Sequence, residues 1–214
     1  MDQIDTLSGD NSLQQWSDAV AAPNAVPAGG AVAALASALA AALVTMVAGL
    51  TTRREKYAAV HEDARSTLRR AEALRSNLLE LATRDAVTIG EYMDALGLPQ
   101  ATEFERTARE AAKRTALLEA ARVQFELLQE AAEVADLAQA MVGSGIATAI
   151  GDAATATFLS AATSRSAWWS IRSNLKALGW PEDTRKLMDT AEAIVEQVEA
   201  AEWRVRELLE ERVG

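Results

Sequence analysis

Apolar residues recur at steps of three and four along most of the chain, which is the spacing of one face of an α-helix. This pattern predicts a short first helix over Leu13–Val20 and a long helix from about Tyr57 to Leu96. Between them, two prolines and two glycines in the stretch Ala22–Gly30 predict a loop, because neither residue type suits a helix interior. Gly97-Leu98-Pro99 ends the long helix, since a glycine followed by a proline is typical of a helix C-terminus.

Three further helices follow the long helix. They are counted as fourth to sixth, because the uncharged segment described in the next paragraph supplies the second helix and the long helix is the third. Thr102 is predicted to cap a fourth helix that runs to about Val142, where Gly143-Ser144-Gly145 ends it. A fifth spans about 146–177, and a final amphipathic helix follows the break at Leu178-Gly179-Trp180-Pro181. The sequence shows no strand pattern and no internal repeat. It therefore predicts an all-α fold, with residues 1–214 as a single domain, a bundle of about six helices.

The segment from Ala31 to Leu50 carries no charge, and its length of about 20 residues matches a membrane span. Arg53 and Arg54 follow it and could anchor such a span at the membrane surface. Its residues are mainly Ala, however, which makes it less hydrophobic than a span rich in Leu, Ile and Phe. This favours a helix over about 31–52 that is buried on all sides within a soluble bundle, with a membrane helix as the alternative.

Small side chains replace Leu in two of the predicted helices, 31–52 and 146–165. Small residues let helix backbones approach closely, so we expect both helices at the centre of the assembly or at a subunit interface. The final helix has many Glu residues and a regular apolar stripe, which is typical of an outer helix.

Composition narrows the function. The chain has a formal net charge of −10, which argues against a general nucleic-acid binder and against binding to anionic membranes. It has no Cys and one His, so thiolate metal sites, Cys nucleophiles and His-rich metal sites are excluded. The acidic start Met-Asp-Gln-Ile-Asp lacks the basic region of a signal peptide, and we expect a cytoplasmic protein without a metal site.

The order of motifs resembles the cyclodeaminase/cyclohydrolase family, which includes the C-terminal domain of formiminotransferase-cyclodeaminase and stand-alone methenyltetrahydrofolate cyclohydrolases. The resemblance covers nearly the whole chain. Five stretches carry it, in order: Pro27-Ala28-Gly29-Gly30-Ala31-Val32-Ala33-Ala34, Leu50-Thr51-Thr52-Arg53-Arg54-Glu55-Lys56-Tyr57, Thr83-Arg84-Asp85-Ala86, Tyr92-Met93-Asp94-Ala95-Leu96-Gly97-Leu98-Pro99, and Gly151-Asp152 followed by Ser170 and Asn174.

The chain departs from the family inside these motifs. Ala28 and Ala31 replace a Gly and a Ser of the glycine-rich stretch, and Thr83 replaces the first of two paired Asp residues. Ser170 stands in place of an Asn, and Gln124 in place of a Pro that commonly interrupts the fourth helix. The chain is therefore either a divergent folate enzyme or a family scaffold with different chemistry.

The resemblance implies a site built from the matching positions. It assigns Asp85 and Asp152 as catalytic residues, with Asp85 the better candidate for moving a proton. It assigns further positions to substrate binding: Gly29, Gly30, Arg53, Arg54, Lys56, Ser170 and Asn174. Trp169 joins them on other grounds: Trp168 and Trp169 are adjacent and point in different directions on a helix, so one of them is expected to line the pocket or an interface. The glycines would present helix N–H groups, and the cations would suit the glutamate tail of a folate. Without the resemblance, the glycines are equally typical of an ordinary helix start, and the three cations and Asp85 are more typical of solvated charges.

Three functions stay open at this stage. The first is hydrolysis of the one-carbon bridge of 5,10-methenyltetrahydrofolate to 10-formyltetrahydrofolate, or the related lyase step of a formiminotetrahydrofolate cyclodeaminase. The second is a ring-closing or water-addition step on a non-folate substrate, and the third is an inactive helical binding or scaffold protein. The resemblance also implies a homodimer with the site near the subunit interface, a folate-like small-molecule substrate, and no metal or redox cofactor.

Overall fold

The computed structural model describes residues 11–213, and in that range the chain forms α-helices without any strand. The prediction of an all-α fold is confirmed. The acidic start Met-Asp-Gln-Ile-Asp, from which the sequence predicts that no signal peptide is present, lies outside the described residues. The α-helices are α1 (Leu13–Ala21), α2 (Gly29–Thr52), α3 (His61–Gly97), α4 (Glu103–Ser144), α5 (Ile150–Ala177) and α6 (Arg185–Val213).

Two helices begin with reciprocal side-chain caps. The Thr102 hydroxyl accepts a hydrogen bond from the Glu105 backbone N–H at 3.2 Å, and the Glu105 carboxylate accepts one from the Thr102 N–H at 2.8 Å. Ser12 and Gln15 form the same arrangement at the start of α1. These contacts satisfy N–H groups that the first helical turn leaves free, and they confirm the predicted cap at Thr102.

The predicted helix boundaries shift in two places. The long helix begins at His61, because residues Glu55–Val60 form a 3-10 turn in which Tyr57 leaves helical geometry, with φ −106° and ψ 15°. The Tyr57 hydroxyl accepts a hydrogen bond from the Ala147 N–H at 3.0 Å and so ties this turn to the start of α5. Gly29 and Gly30, predicted as loop, are the first two residues of α2.

The small-residue helices α2 and α5 pack against each other at the centre of the bundle, as predicted. The Thr163 hydroxyl of α5 donates to the Ala33 carbonyl of α2 at 3.0 Å, and the Ile146 N–H donates to the Thr51 hydroxyl at 3.0 Å. These two contacts show that α2 and α5 run antiparallel. Helices α3 and α4 complete the core, and α6 packs on the outside of α4 and α5, as expected for an outer helix.

Helix α2 is long and apolar enough to cross a membrane by length and composition alone. In the structure, 56% of its most apolar window is buried against other helices. Its alanines at 31, 34, 40 and 41 are essentially inaccessible to solvent. This packing is that of a core helix, although one face of α2 remains exposed.

Candidate active site

Asp85 is the buried carboxylate of the described core. It lies in the middle of α3, is 3% exposed, and faces the first turn of α2. Its Oδ1 atom accepts a hydrogen bond from Gln124 Nε2 of α4 at 2.5 Å, and the carboxylate also accepts one from the Ala31 backbone N–H. Burial raises the pKa of Asp85 above its ordinary value, because it disfavours the charged form, and the two hydrogen bonds oppose that rise.

Gly30 allows this close approach. A Cβ atom at position 30 would overlap Gln124 Nε2 and the Asp85 carboxylate, so residue 30 has no room for a side chain. Gly29 has no neighbour within 4 Å of the corresponding position. Of the two glycines predicted to bind substrate, Gly30 therefore has a packing reason to be glycine.

Gln124 is a functional candidate that the sequence analysis noted only as a departure from the family. It is 2% exposed and lies among the apolar core residues Val123, Leu127 and Leu128 of α4. The only signal in the sequence is an amide inside an apolar stretch. Two buried oxygens of this pair, Asp85 Oδ2 and Gln124 Oε1, accept no hydrogen bond from any residue in the described part of the chain. We call Asp85, Gln124 and Gly30 the carboxylate centre.

The C-terminal half of α5 passes the same end of the bundle. Trp168 packs against the core, whereas Trp169 is 62% exposed, so the adjacent pair does not share one buried face. Their rings meet edge to face with centroids 4.8 Å apart, and the Arg172 guanidinium lies over Trp168 at 4.7 Å. Ser170 and Asn174 are half-buried on this same segment.

A cavity of about 290 Å³ opens at this end, between α3, α4 and the end of α5. Tyr92 lines it two helical turns beyond Asp85, and Leu117 lines it two turns before Gln124, so the cavity lies along the same α3–α4 seam, about 10 Å from the carboxylate centre. Its other walls are Glu110, Lys113, Arg114, Ala177 and Leu178. None of these residues was predicted from the sequence, because the cavity depends on how three helices align.

The other predicted site residues lie at the opposite end of the bundle. Asp152 is in the first turn of α5, and Asn174 is near the end of that 28-residue helix, which is about 42 Å long. Three exposed cations directly follow the C-terminus of α2: Arg53, Arg54 and Lys56. The 24 residues of α2 span about 36 Å, and this length separates the cations from Gly30 at the N-terminus of the helix. We call this end, with Asp152 and the three cations, the cationic end.

One chain therefore does not bring all predicted residues into one pocket. Asp85, Gly30, Ser170, Asn174 and Trp169 lie toward one end. Asp152 and the cations Arg53, Arg54 and Lys56 lie toward the other, beyond the reach of the Asp85 carboxylate in the same chain. The motif order hides this separation, because residues adjacent in a motif list can lie at opposite ends of a long helix. No group of three or more acidic or His side chains in residues 11–213 could hold a metal ion.

Comparisons with known proteins place these observations in context. The profile of the family described as Formiminotransferase-cyclodeaminase matches residues 12–197. The chain is 30% identical to the methenyltetrahydrofolate cyclohydrolase of Methylorubrum extorquens over 97% of its own length and 100% of that protein. It is 29% identical to the formimidoyltransferase-cyclodeaminase of Mus musculus over 67% of its length, a match that covers 26% of the mouse protein.

The fold also matches a solved structure. The crystal structure of formiminotetrahydrofolate cyclodeaminase from Thermotoga maritima superposes with a TM-score of 0.84 and 27% identity. The match covers 96% of this chain and 98% of that one. The helices described above therefore keep the arrangement of that enzyme over almost their full length.

Proposed function

Since the chain belongs to the formiminotransferase-cyclodeaminase family, we propose that it is a methenyltetrahydrofolate cyclohydrolase, which converts 5,10-methenyltetrahydrofolate and water to 10-formyltetrahydrofolate. The full-length similarity to the Methylorubrum enzyme supports this reaction over the cyclodeaminase step. The observation that carries the proposal is the carboxylate centre, a buried Asp85 that has one hydrogen-bonded oxygen and one oxygen without a donor among residues 11–213.

The chemistry needs one group that moves a proton. The bridging carbon of the substrate is part of a cationic amidinium, and attack by water forms a tetrahedral carbon that then releases N5. Asp85 can accept a proton from the water and stabilise the neighbouring cation. Ser170, Asn174 and Trp169 are the candidates that would contact the ring at the same end of the bundle, with the cavity beside Tyr92 and Leu117 as part of the entrance.

A non-folate substrate is the second candidate, and the aromatic cluster favours it. Trp168, Trp169 and Trp180 surround the Arg172 guanidinium at distances of 4.7–5.6 Å. The rings crowd the α5 segment that carries Ser170 and Asn174, and they would reshape a pteridine site. An inactive scaffold is the weakest alternative, because it gives no reason to keep a carboxylate buried at a position that excludes any side chain at Gly30.

We expect the protein to act as a homodimer through α2. The outward face of this uncharged helix carries a stripe of exposed apolar residues at helical spacing: Val32 (40%), Leu39 (54%), Met46 (41%) and Leu50 (37%). Trp169 of α5, a helix that packs against α2, is also exposed. A stripe of exposed apolar residues of this length is best covered by a second copy of the same chain, since a two-fold interface uses the same patch of both subunits.

Such a dimer would also reunite the separated residues. A two-fold axis across the middle of the α2 stripe sets the two α2 helices antiparallel, so the cationic end of one subunit lies beside the carboxylate centre of the other. Asp152, Arg53, Arg54 and Lys56 of one subunit would then face Asp85 of its partner. In this arrangement the cations can bind a folate tail by charge while Asp85 acts on the ring.

We further expect a cytoplasmic enzyme that binds neither membranes nor nucleic acid. The acidic net charge and the burial of more than half of the α2 window support this expectation.

Hydrolysis of 5,10-methenyltetrahydrofolate, followed by its absorbance with the uncatalysed rate subtracted, tests the function. Asp85→Asn should lower kcat by about 10²–10⁴-fold with little change in KM, because it removes the base and keeps the shape. Asp94→Asn, an exposed position on the same helix, is the matched control and should behave as wild type. Wild-type protein that matches the blank would refute the folate function, and an unaffected Asp85→Asn variant would remove Asp85 from the mechanism.

Mixing two inactive variants tests the shared site. Asp85→Asn and Asp152→Asn subunits are mixed, dissociated and allowed to reassociate. If each site combines Asp85 of one subunit with Asp152 of the other, half of the dimers are mixed and each has one intact site. Activity should then recover to about a quarter of wild type. Recovery that stays at the level of the separate variants would place both residues of each site in one subunit, and a monomer in light scattering would refute the dimer.

A further inference from the structure

Gln124 and Asp85 are joined by a hydrogen bond between two buried side chains on different helices. Both side chains are almost fully buried, at 2% and 3% exposed, and they come from positions 39 residues apart in sequence. The other polar atom of each group, Oε1 of the amide and Oδ2 of the carboxylate, accepts no hydrogen bond from residues 11–213. Buried acceptors without donors are costly, so their retention as a pair calls for a function.

We propose that Gln124 is a further residue of the hydrolytic site: its Nε2 fixes Oδ1 of Asp85, while its Oε1 and Asp85 Oδ2 accept the two hydrogens of the attacking water. This inference rests on the proposed cyclohydrolase function. The two oxygens belong to the amide and the carboxyl group that this 2.5 Å bond joins, so both lie close to the bond. Both are acceptors only, which suits a molecule that offers two O–H donors.

The step balances without any further reactant. The water oxygen forms a bond to the bridging carbon of the substrate cation, and one water proton passes to Asp85 Oδ2. The neutral tetrahedral intermediate keeps the other hydrogen on its new hydroxyl, which Gln124 Oε1 still accepts. The carbon–N5 bond then breaks, N5 takes up one proton from Asp85, and the hydroxyl releases its proton to solvent as the formyl group on N10 forms. One substrate cation and one water thus give 10-formyltetrahydrofolate and one proton.

A purely structural role for Gln124 predicts something different. The neighbours of Gln124 along α4 are buried and apolar, so Met, which has a similar length and flexibility, should pack in its place. Charged groups do not complicate the comparison. The residues that contact Asp85 from α2 and α4 are Gly30, Ala31 and Gln124, and the nearby charges Arg84 and Glu126 pair with each other at 2.5 Å. On α5, the buried polar residues at this level are hydroxyls, including Thr163 and Ser164.

Gln124→Met and Gln124→Glu test the proposal, with Gln129→Met at an exposed position of α4 as the control. The first readout is kcat, KM and the pH–rate profile for methenyltetrahydrofolate hydrolysis. The second is an infrared titration of the Asp85 carboxyl in the full-length protein, identified by subtraction of the Asp85→Asn spectrum. Thermal unfolding shows that each variant is folded.

We expect Gln124→Met to lower kcat by about 10²-fold, the cost of a misplaced reacting group, while KM changes by less than about twofold. The pKa of Asp85 should rise in both the rate profile and the infrared titration, because the amide N–H that favours the carboxylate is lost. Gln124→Glu should also raise this pKa, since it places a second carboxyl beside Asp85. Gln129→Met should leave all readouts unchanged.

Two outcomes overturn the proposal. A Gln124→Met variant with wild-type kcat and an unshifted Asp85 pKa would show that the bond only packs the core. A variant that loses both kcat and thermal stability without any change in the Asp85 pKa would show the same. If wild-type protein does not hydrolyse the methenyl substrate, the proposed function fails and the infrared titration alone decides on Gln124. A raised Asp85 pKa would then still support its control of the carboxylate, and an unchanged one would refute it.

Discussion

A single methyl group added at Gly30 should dismantle the carboxylate centre. The backbone at residue 30 is helical, so Gly30→Ala brings no backbone strain, and the effect comes from the space its Cβ needs. That space is already occupied by Gln124 Nε2 and the Asp85 carboxylate. Both are ends of flexible side chains, so they can move, but only by giving up the 2.5 Å hydrogen bond between them.

The cost follows from that bond. Leaving a buried charged group without its partner costs about 1.5–3 kcal/mol, whereas Ala gains up to about 1 kcal/mol over Gly in a helix. We therefore expect Gly30→Ala to lower the free energy of unfolding by about 1–2 kcal/mol. For a chain of this length each kcal/mol corresponds to about 2–4 °C in Tm, which gives a decrease of about 2–8 °C. The kcat for hydrolysis should fall by about 10²-fold, because Asp85 loses its orientation.

Gly29→Ala is the matched control for stability. It changes the adjacent residue in the same turn, where no atom lies within 4 Å of the new Cβ, so its Tm should stay level or rise slightly. Thermal unfolding followed by circular dichroism at pH 7 compares the two variants directly. If Gly30→Ala unfolds at or above the Tm of Gly29→Ala, the contact between residue 30 and the Asp85–Gln124 pair does not exist in solution, and the reasoning fails.

Two further predictions concern pH and assembly. The raised pKa of Asp85 means that its protonated form is favoured in the folded state, so the stability of wild type relative to Asp85→Asn should be constant below the ordinary pKa of 3.8 and fall as pH rises through the raised pKa. Thermal unfolding from pH 3 to 8 measures this difference. The free energy of unfolding of Asp85→Asn should rise relative to that of wild type by about 1.4 kcal/mol for each unit by which folding raises the pKa of Asp85, and parallel pH curves would contradict this. Leu39→Glu places a charge at the centre of the α2 stripe, where Leu39 is 54% exposed, and should convert the dimer to monomers in light scattering without lowering Tm by more than a few degrees. A Leu39→Glu protein that remains dimeric would exclude this face as the interface.

The sequence predicts the helices well because their signals are local. Apolar spacing, the Thr102 cap and the breaks at Gly97-Leu98-Pro99 and Gly179-Trp180-Pro181 each act within a few residues. At the last of these breaks, Gly179 and Trp180 both adopt positive φ angles, 74° and 57°, which ends α5. The start of α3 was misplaced because the turn over Glu55–Val60 depends on a contact between Tyr57 and Ala147, 90 residues away.

The candidate site was only partly predictable for the same reason. Asp85 came from a family motif, but its partner Gln124 departs from that motif and meets it only because α3 and α4 pack in one particular register. The distance between Asp85 and Asp152 is likewise a matter of packing, set by the antiparallel course of α2 and α5. A motif gives residue types and order, whereas the site depends on where long helices cross.

The exchange of a second carboxylate for Thr83 and the presence of Gln124 have a combined consequence for the chemistry. Thr83 lies two residues before Asp85 on α3, and residues two apart on a helix do not face each other, so a carboxylate at position 83 would not share a proton directly with Asp85. At Asp85 the contacts identified are neutral N–H donors, from the amide of Gln124 and the backbone of Ala31, and both favour the ionised form against the effect of burial. A buried Asp held in this way can be a base near neutral pH without a partner that takes turns with it. Under the proposed function, the proton transfer by Asp85 therefore depends on Gln124 and not on a carboxylate at position 83.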